Sequence, residues 1–366
     1  MEEIKKEAYV EVDKNMVVET SIAEPDIKFY DVRRPPFELY GFYDPLGQPI
    51  FRRLPEEIAT ATSPGVARLA RESAGGRVRF TTDSSYVAIK VEVGPVAHHP
   101  HTTLCNSAGF DLYEDTDSDH RFIKAYLPPY SFEGSYEQII KVGGVRRPRS
   151  FTINFPIHCV VKNLYIGLQE DAILEPGKKY RNRLPVVIYG SSIVHGTAAS
   201  RPGLTYESIL TRRLDMDIVN LGFSGQAKGE PVLIDYIAGL DMCLFVCDYD
   251  HNAPTAAFLR ETHQRVYDIF RARKPDTPYI MISRPNIATN PGEFAERRDV
   301  VIDTYRRARE AGDRNVYYID GETFFCGKYE NECTMDAVHP NDLGFTLMAD
   351  GIESEIRRAL AEGGLL

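Results

Sequence analysis

A chain of 366 residues is long enough for two domains with sizeable cores, and 43% hydrophobic with 26% charged residues is ordinary for a soluble globular protein. The net charge of −10 leaves no basic stripe to neutralise phosphates, which speaks against a nucleic-acid partner. Basic residues cluster only locally, at Arg146-Arg147-Pro148-Arg149 and Arg306-Arg307-Ala308-Arg309, where acidic neighbours or a helical pattern imply a solvated face.

In chain order, Met1-Glu2-Glu3-Ile4-Lys5-Lys6 lacks the apolar core of a signal peptide, and no later run approaches transmembrane length. The expectation is a cytoplasmic protein with no membrane partner. From about residue 25 to 170 the pattern is β. Arg77–Thr82 and Tyr86–Val93 alternate around Asp83-Ser84-Ser85 as a hairpin would, and short strands are expected near 109–114, 121–127, 136–142, 150–155 and 160–168. Many short strands with no long helical period between them imply a β-sandwich or jelly roll. Glu175-Pro176-Gly177-Lys178-Lys179 reads as the linker, giving an N-terminal domain over 1–175 and a second over 176–366.

After residue 184 strands and helices alternate. Strands are expected near 185–190, 217–221, 242–247, 278–283 and 315–319, and helices near 204–214, 229–238, 254–273, 293–311 and 341–361. That alternation specifies an α/β fold with a parallel sheet covered on both faces. The six cysteines, Cys105, Cys159, Cys243, Cys247, Cys326 and Cys333, are too few in so long a chain for a disulfide framework. Cys243 and Cys247 are an even number apart in an apolar strand and are expected on one side of it as buried thiols.

Four segments of the second half carry chemistry. Val186-Val187-Ile188-Tyr189-Gly190-Ser191-Ser192 is a buried strand that ends in a glycine and two serines, and the ends of parallel strands are where ligands bind in open α/β sheets. Asn220-Leu221-Gly222-Phe223-Ser224-Gly225 follows the second strand, Asp248-Tyr249-Asp250-His251-Asn252 the third, and Asp336-Ala337-Val338-His339 precedes the last helix. Acyl transfer at a serine needs a nucleophile, a base, an acid that orients the base, and donors aimed at the oxyanion. Ser192, His339 and Asp336, with donors drawn from Gly225 and Asn252, supply those parts. The spacing D-x-x-H occurs three times. Asp117…His120 sits in an acidic turn, Asp248…His251 overlaps the third strand's loop, and only Asp336…His339 is followed by the helix-start pair Pro340-Asn341.

These blocks resemble those of the SGNH (GDSL-type) hydrolases, which carry Ser, Gly, Asn and His in this chain order. Gly190-Ser191-Ser192-Ile193 is similar to the first block with serine in place of the usual aspartate, which places the nucleophile on Ser192. The second block places the oxyanion glycine on Gly225, the degraded third block places the asparagine on Asn252, and Asp336 and His339 fall on the last. The resemblance spans about 184 to 361 and implies a three-layer α/β fold with a flavodoxin-like parallel sheet. Gly109-Phe110-Asp111-Leu112-Tyr113 is similar to the G-x-D-L-Y motif of a β domain found ahead of certain SGNH esterases. Together they imply a two-domain serine esterase of the bacterial carbohydrate-esterase kind.

The implied chemistry is hydrolysis of a small acyl ester, with an acetyl ester of a carbohydrate as the leading substrate, through an acyl-enzyme on Ser192. The backbone N–H groups of Ser192 and Gly225 and the Asn252 amide would hold the oxyanion, and no metal or organic cofactor is required. An acyltransferase with the same triad is the alternative, and a non-catalytic glycan-binding protein is disfavoured by retention of Ser192, Asp336 and His339. His98-His99-Pro100-His101 is expected to be a loop near the active site instead of a metal tract, and Asp111 to cap a turn in preference to lining the pocket.

Overall fold

A computed structural model describes residues 22–96, 99–117, 119–285, 290–327 and 329–365. The first part contains strands β1 (Ile27–Asp31) and β2 (Glu38–Tyr40), then two short helices, α1 (Glu56–Thr62) and α2 (Pro64–Leu69). Strands β3 (Arg77–Thr82) and β4 (Tyr86–Val93) follow, then helix α3 (Leu104–Ala108), β5 (Phe110–Asp115) and β6 (His120–Tyr126). Strands β7 (Ser135–Lys141), β8 (Arg149–Asn154), β9 (Val161–Gln169) and β10 (Leu174–Pro176) complete it. They form two antiparallel sheets, β1-β9-β4-β7 and β10-β3-β8-β5-β6, with β2 also paired to β3. Inward-facing residues of both, among them Phe80, Val87, Ile89, Phe110, Phe151 and Ile166, fill one core.

The second part is a five-stranded parallel sheet in the order β12-β11-β13-β14-β15. Its members are β11 (Val186–Gly190), β12 (Ile218–Gly222), β13 (Leu244–Asp248), β14 (Tyr279–Ile282) and β15 (Val316–Ile319). Between and after them run α4 (Ser192–His195), α5 (Tyr206–Leu214), α6 (Pro231–Ala238), α7 (Ala256–Arg273), α8 (Pro291–Glu310) and α9 (Asp342–Glu362). Every strand and helix expected after residue 184 is present. The connections out of β11 and β12 run in opposite directions across the sheet, which opens a crevice at the C-terminal strand ends. Side chains of α4, α5 and α9 cover one face, and α6, α7 and α8 the other.

Three expectations are corrected here, and two short helices appear that the pattern did not show. Strands β3 and β4 do not form a hairpin: β3 pairs with β8 and β4 with β7 and β9, so Asp83-Ser84-Ser85 carries the chain from one sheet to the other. A sandwich allows this because both strands then turn an apolar face into the same core. Helices α1 and α2 went unforeseen because they are too short to show a period; with Leu54, their Ala59, Val66 and Leu69 pack into the core of the parallel sheet. Cys243 and Cys247 join core layers on opposite faces, since Cys243 precedes β13 and the two-residue period does not extend to it. Arg149 is buried, not solvated, and its guanidinium donates to the carbonyls of Ser84, Val142 and Gly143.

Two further segments tie the parts together. Leu174–Pro176, where the linker was expected to begin, is an edge strand of the second antiparallel sheet. Asp111 is no turn cap. It is fully buried and accepts from the Gly203 N–H, the Arg201 guanidinium and the Asn154 amide, each at 2.7 Å. Arg201 also donates to the Tyr113 hydroxyl at 2.6 Å. The aspartate and tyrosine of the G-x-D-L-Y segment thus clasp the loop that follows α4.

Candidate active site

The buried strand β11 stops at Gly190, where a Cβ would collide with the Asp248 carbonyl of the neighbouring strand. The chain then turns into the single turn of α4. Ser191 is its N-cap: wholly buried, with Oγ accepting from the Ile193 N–H at 3.2 Å. Ser192, the first helical residue, points the other way and sets its Oγ 2.9 Å from His339 Nε2. Of two adjacent serines, one is a cap and the other faces the cleft.

His339 comes from the far end of the chain. Its Nδ1 lies 2.8 Å from Asp336 Oδ2, while Asp336 Oδ1 accepts the N–H groups of Val338 at 3.1 Å and His339 at 2.8 Å. Ala337 adopts a left-handed φ of 66°, which folds those N–H groups back onto the carboxylate. Desolvation raises the Asp336 pKa, but the hydrogen bonds from the His339 backbone and ring outweigh it and hold the carboxyl below its ordinary value. Asn341 caps α9 by accepting from Leu343 and Gly344, so the block is fixed to a long buried helix.

Gly225 lies in the turn after β12 with φ +69°, a conformation that favours glycine, and a Cβ there would point into open space. Glycine is therefore needed for the backbone's direction more than for room. Asn252 lies in a 3-10 turn after β13, and its Nδ2 donates to the Phe223 carbonyl at 3.0 Å. Buried Arg297 donates to the carbonyls of Asp250 at 2.9 Å and Ala253 at 2.7 Å, which locks that turn. Tyr249 and Asp250 serve the same end, through Thr262 Oγ1 and the Arg284 N–H. Beneath the strand ends, Glu207 and Asp248 are buried beside Tyr206, and desolvation pushes both carboxyls well above their ordinary range.

Ser192, Gly225, Asn252 and His339 line one cleft of about 540 Å³. The β region supplies its other wall, through Arg68, Glu72, His99, His101 and His158. His101 stacks on His339 with ring centroids 5.2 Å apart, in accord with the expected loop near the site; His98 lies outside the described residues. Ser224 lies within the second block, but nothing local marks Glu72, His158, Thr197 or Arg284 as cleft residues, because their neighbours are remote in sequence. A polar side chain among apolar ones, as in Pro156-Ile157-His158-Cys159, is the faint sign that existed.

Glu72, His158 and His195 bring three metal-ligand atoms within 4.8 Å of one another. The charge around them does not suit a cation. The Arg53 guanidinium lies 3.4 Å from His195 Nε2, and Arg68 pairs with Glu72 Oε1 at 3.2 Å. Burial and Arg53 push the His195 pKa down to about 3, so the ring is neutral. Among the described residues, the row Ser192–His339–Asp336 is what offers chemistry: a hydroxyl, a base able to take its proton, and a carboxylate that orients the base.

Residues 183–357 match the model of the GDSL-like Lipase/Acylhydrolase family, and residues 27–174 match GxDLY, the N-terminus of Esterase_SGNH_hydro-type. A Bacteroides ovatus ATCC 8483 protein described as a GDSL-like lipase is 27% identical, with 92% of this chain and 98% of that one covered at a TM-score of 0.83. The salicylyl-acyltransferase SsfX3 from a tetracycline biosynthetic pathway is 21% identical over 94% of this chain and 99% of its own, at a TM-score of 0.73. An acetyl xylan esterase (Est2A) from the rumen bacterium Butyrivibrio proteoclasticus is 12% identical over 92% and 99%, at 0.58. The latter two share the fold. No curated protein sequence matches the chain.

Proposed function

We propose, for a chain that belongs to the GDSL-like lipase/acylhydrolase family and carries the N-terminal domain of SGNH-type esterases, that it hydrolyses small acyl esters of carbohydrates through an acyl-enzyme on Ser192. The observation that carries this is the continuous row from Ser192 Oγ through His339 to Asp336, with contacts of 2.9 and 2.8 Å. His339 Nε2 takes the Ser192 proton as Oγ attacks the ester carbonyl. The N–H groups of Ser192 and Gly225 and the second Nδ2 hydrogen of Asn252 receive the oxyanion. His339 then protonates the leaving alcohol, and water repeats the steps in reverse. Asp336 fixes the tautomer and stabilises the imidazolium.

An acetyl group is the favoured acyl part. Among the described residues, the cleft is lined by histidines, arginines and hydroxyls beside Leu69 and Val338, which suits a short acyl group better than a fatty chain. A carbohydrate alcohol is supported by the acetyl xylan esterase that shares this fold. Acid release from p-nitrophenyl acetate and from acetylated oligosaccharides, by the wild type and by Ser192→Ala, tests the reading; equal rates in the two proteins would remove it. The acyltransferase that also shares the fold favours a second reading, transfer to an alcohol or amine. A transfer product formed from an ester donor and an added acceptor would select that reading.

A further inference from the structure

Beside the oxyanion turn the cleft wall holds a closed circuit of five side chains that the triad does not use. Glu72 Oε2 lies 3.3 Å from His158 Nδ1 and 3.3 Å from His195 Nε2. His158 Nε2 lies 3.2 Å from Thr197 Oγ1, Thr197 Oγ1 3.2 Å from Ser224 Oγ, and Ser224 Oγ 2.9 Å from His195 Nδ1. Glu72, His158, His195 and Thr197 are all buried, yet Thr197 and Ser224 both line the cleft.

The direction of the protons follows from one group. Burial raises the Glu72 pKa, but its hydrogen bonds with His158 and His195 outweigh it and hold the carboxyl well below its ordinary range, while Arg68 pairs with Oε1; the group is ionised, and a carboxylate only accepts hydrogen bonds. Both imidazoles therefore turn an N–H toward it. The Ser224 backbone N–H makes a longer, secondary contact with the same His195 Nδ1, at 3.4 Å, as it would with an unprotonated nitrogen. With one proton per ring, on the nitrogen that faces Glu72, the far nitrogens accept, so Thr197 donates its hydroxyl proton to His158 and Ser224 its own to His195. Both hydroxyl protons are now committed. None is left for the 3.2 Å gap between Thr197 Oγ1 and Ser224 Oγ, where two sets of lone pairs face each other at the cleft surface.

We propose that Thr197 Oγ1 and Ser224 Oγ form an acceptor-only subsite that receives a free hydroxyl of the substrate's alcohol part, next to the scissile ester. Its place fits. The Thr197 N–H donates to the Ser192 carbonyl at 3.0 Å, and Ser224 directly precedes Gly225. A donor seated there satisfies oxygens that otherwise face each other unbridged, whereas an ether, a fluorine or a bare CH₂ leaves them so. The substrate class is thereby narrowed to partly acylated polyols and sugars that keep a hydroxyl beside the ester. This deepens the carbohydrate-ester reading and rests on Ser192 as nucleophile.

The test compares kcat/KM for a monoacetylated sugar bearing a free neighbouring hydroxyl with its deoxyfluoro and deoxy counterparts. The wild type is expected to prefer the hydroxyl by about 10-fold or more. Thr197→Val and Ser224→Ala should each bring that ratio close to unity, and Glu72→Gln, whose amide reverses one hydrogen bond of the circuit, should lower it. The ratio does not depend on how much of a preparation is folded, so a poorly folding variant still reports. A wild-type ratio near unity, or a ratio unchanged in both hydroxyl variants, overturns the subsite. If Ser192→Ala is inactive while the wild-type ratio is unity, the subsite falls and the esterase reading stands; if Ser192→Ala keeps its rate, both fall.

Discussion

On one side of the cleft the chemical groups sit at the C-terminal ends of adjacent parallel strands: Ser192 after β11, Gly225 after β12 and Asn252 after β13. On the other side Arg68 comes from α2, Glu72 from the chain just beyond it, and His99, His101 and His158 from loops of the β region. The first wall is fixed by strand register, which sets Gly190 opposite both Gly222 and Asp248. The second is fixed by the way the two parts pack, through Arg53 on the Asn220 and Gly222 carbonyls and Asp111 on the 201–203 loop. The strand-end wall thus places its groups by register, while the packed wall places its groups by the contact that holds the parts together.

Four outcomes would break or sharpen that contrast. Ser192→Ala should lower kcat by about 10⁴-fold or more with the fold intact, since a triad without its nucleophile loses the covalent path. Residual hydrolysis near the wild-type rate, with an unchanged circular-dichroism spectrum, would move the chemistry off the strand-end wall. Asn252→Ala should lower kcat by about 10²- to 10³-fold with little change in KM, as removal of one oxyanion donor does. A rise in KM alone in steady-state kinetics would make Asn252 a binding group instead.

Asp111→Asn belongs to the packed wall. It leaves Arg201 beside a neutral amide in a buried site, and urea unfolding should show a loss of about 3 kcal/mol, with activity per folded molecule affected far less than by the first two changes. An unchanged unfolding midpoint would remove the clasp between the parts. The fourth effect is read against pH. Glu207 has a raised pKa in the folded protein, so its contribution is fully present below the unfolded value of about 4.3 and is lost as pH rises. Glu207→Gln does not titrate and should gain stability over the wild type with rising pH, by at most about 1.4 kcal/mol per pH unit. Urea titrations at pH 5 and pH 8 that show no growing difference would mean Glu207 is not held protonated under the strand ends.

Much of the strand-end wall was legible in the sequence, because each of its pieces is local. A buried apolar run, a glycine and a serine pair describe β11 and its turn within a few residues, and Asp336 and His339 are spaced to hydrogen-bond each other. The choice between Ser191 and Ser192 rested on the resemblance alone. Spacing could not make it, since a buried cap and a cleft-facing hydroxyl look alike until the helix axis is known. The packed wall was almost silent. Glu72 and His158 are 86 residues apart, and His195 meets Arg53 across 142. The role of Asp111 was misjudged for the same reason, as its partners Arg201 and Gly203 lie 90 and 92 residues away.

The sequence by itself determined the two grammars, short alternating strands and then strand with helix, and the order of the four blocks. Those features depend on periodicity and on contacts within one or two turns, which the chain encodes locally. Only the tertiary structure decided which serine faces His339, that β3 and β4 belong to different sheets, and that a buried glutamate remote in sequence contacts His158 and His195 beside the Gly225 turn. Each depends on which distant segments pack together, and that is settled by the burial of whole faces, not by any short run of residues.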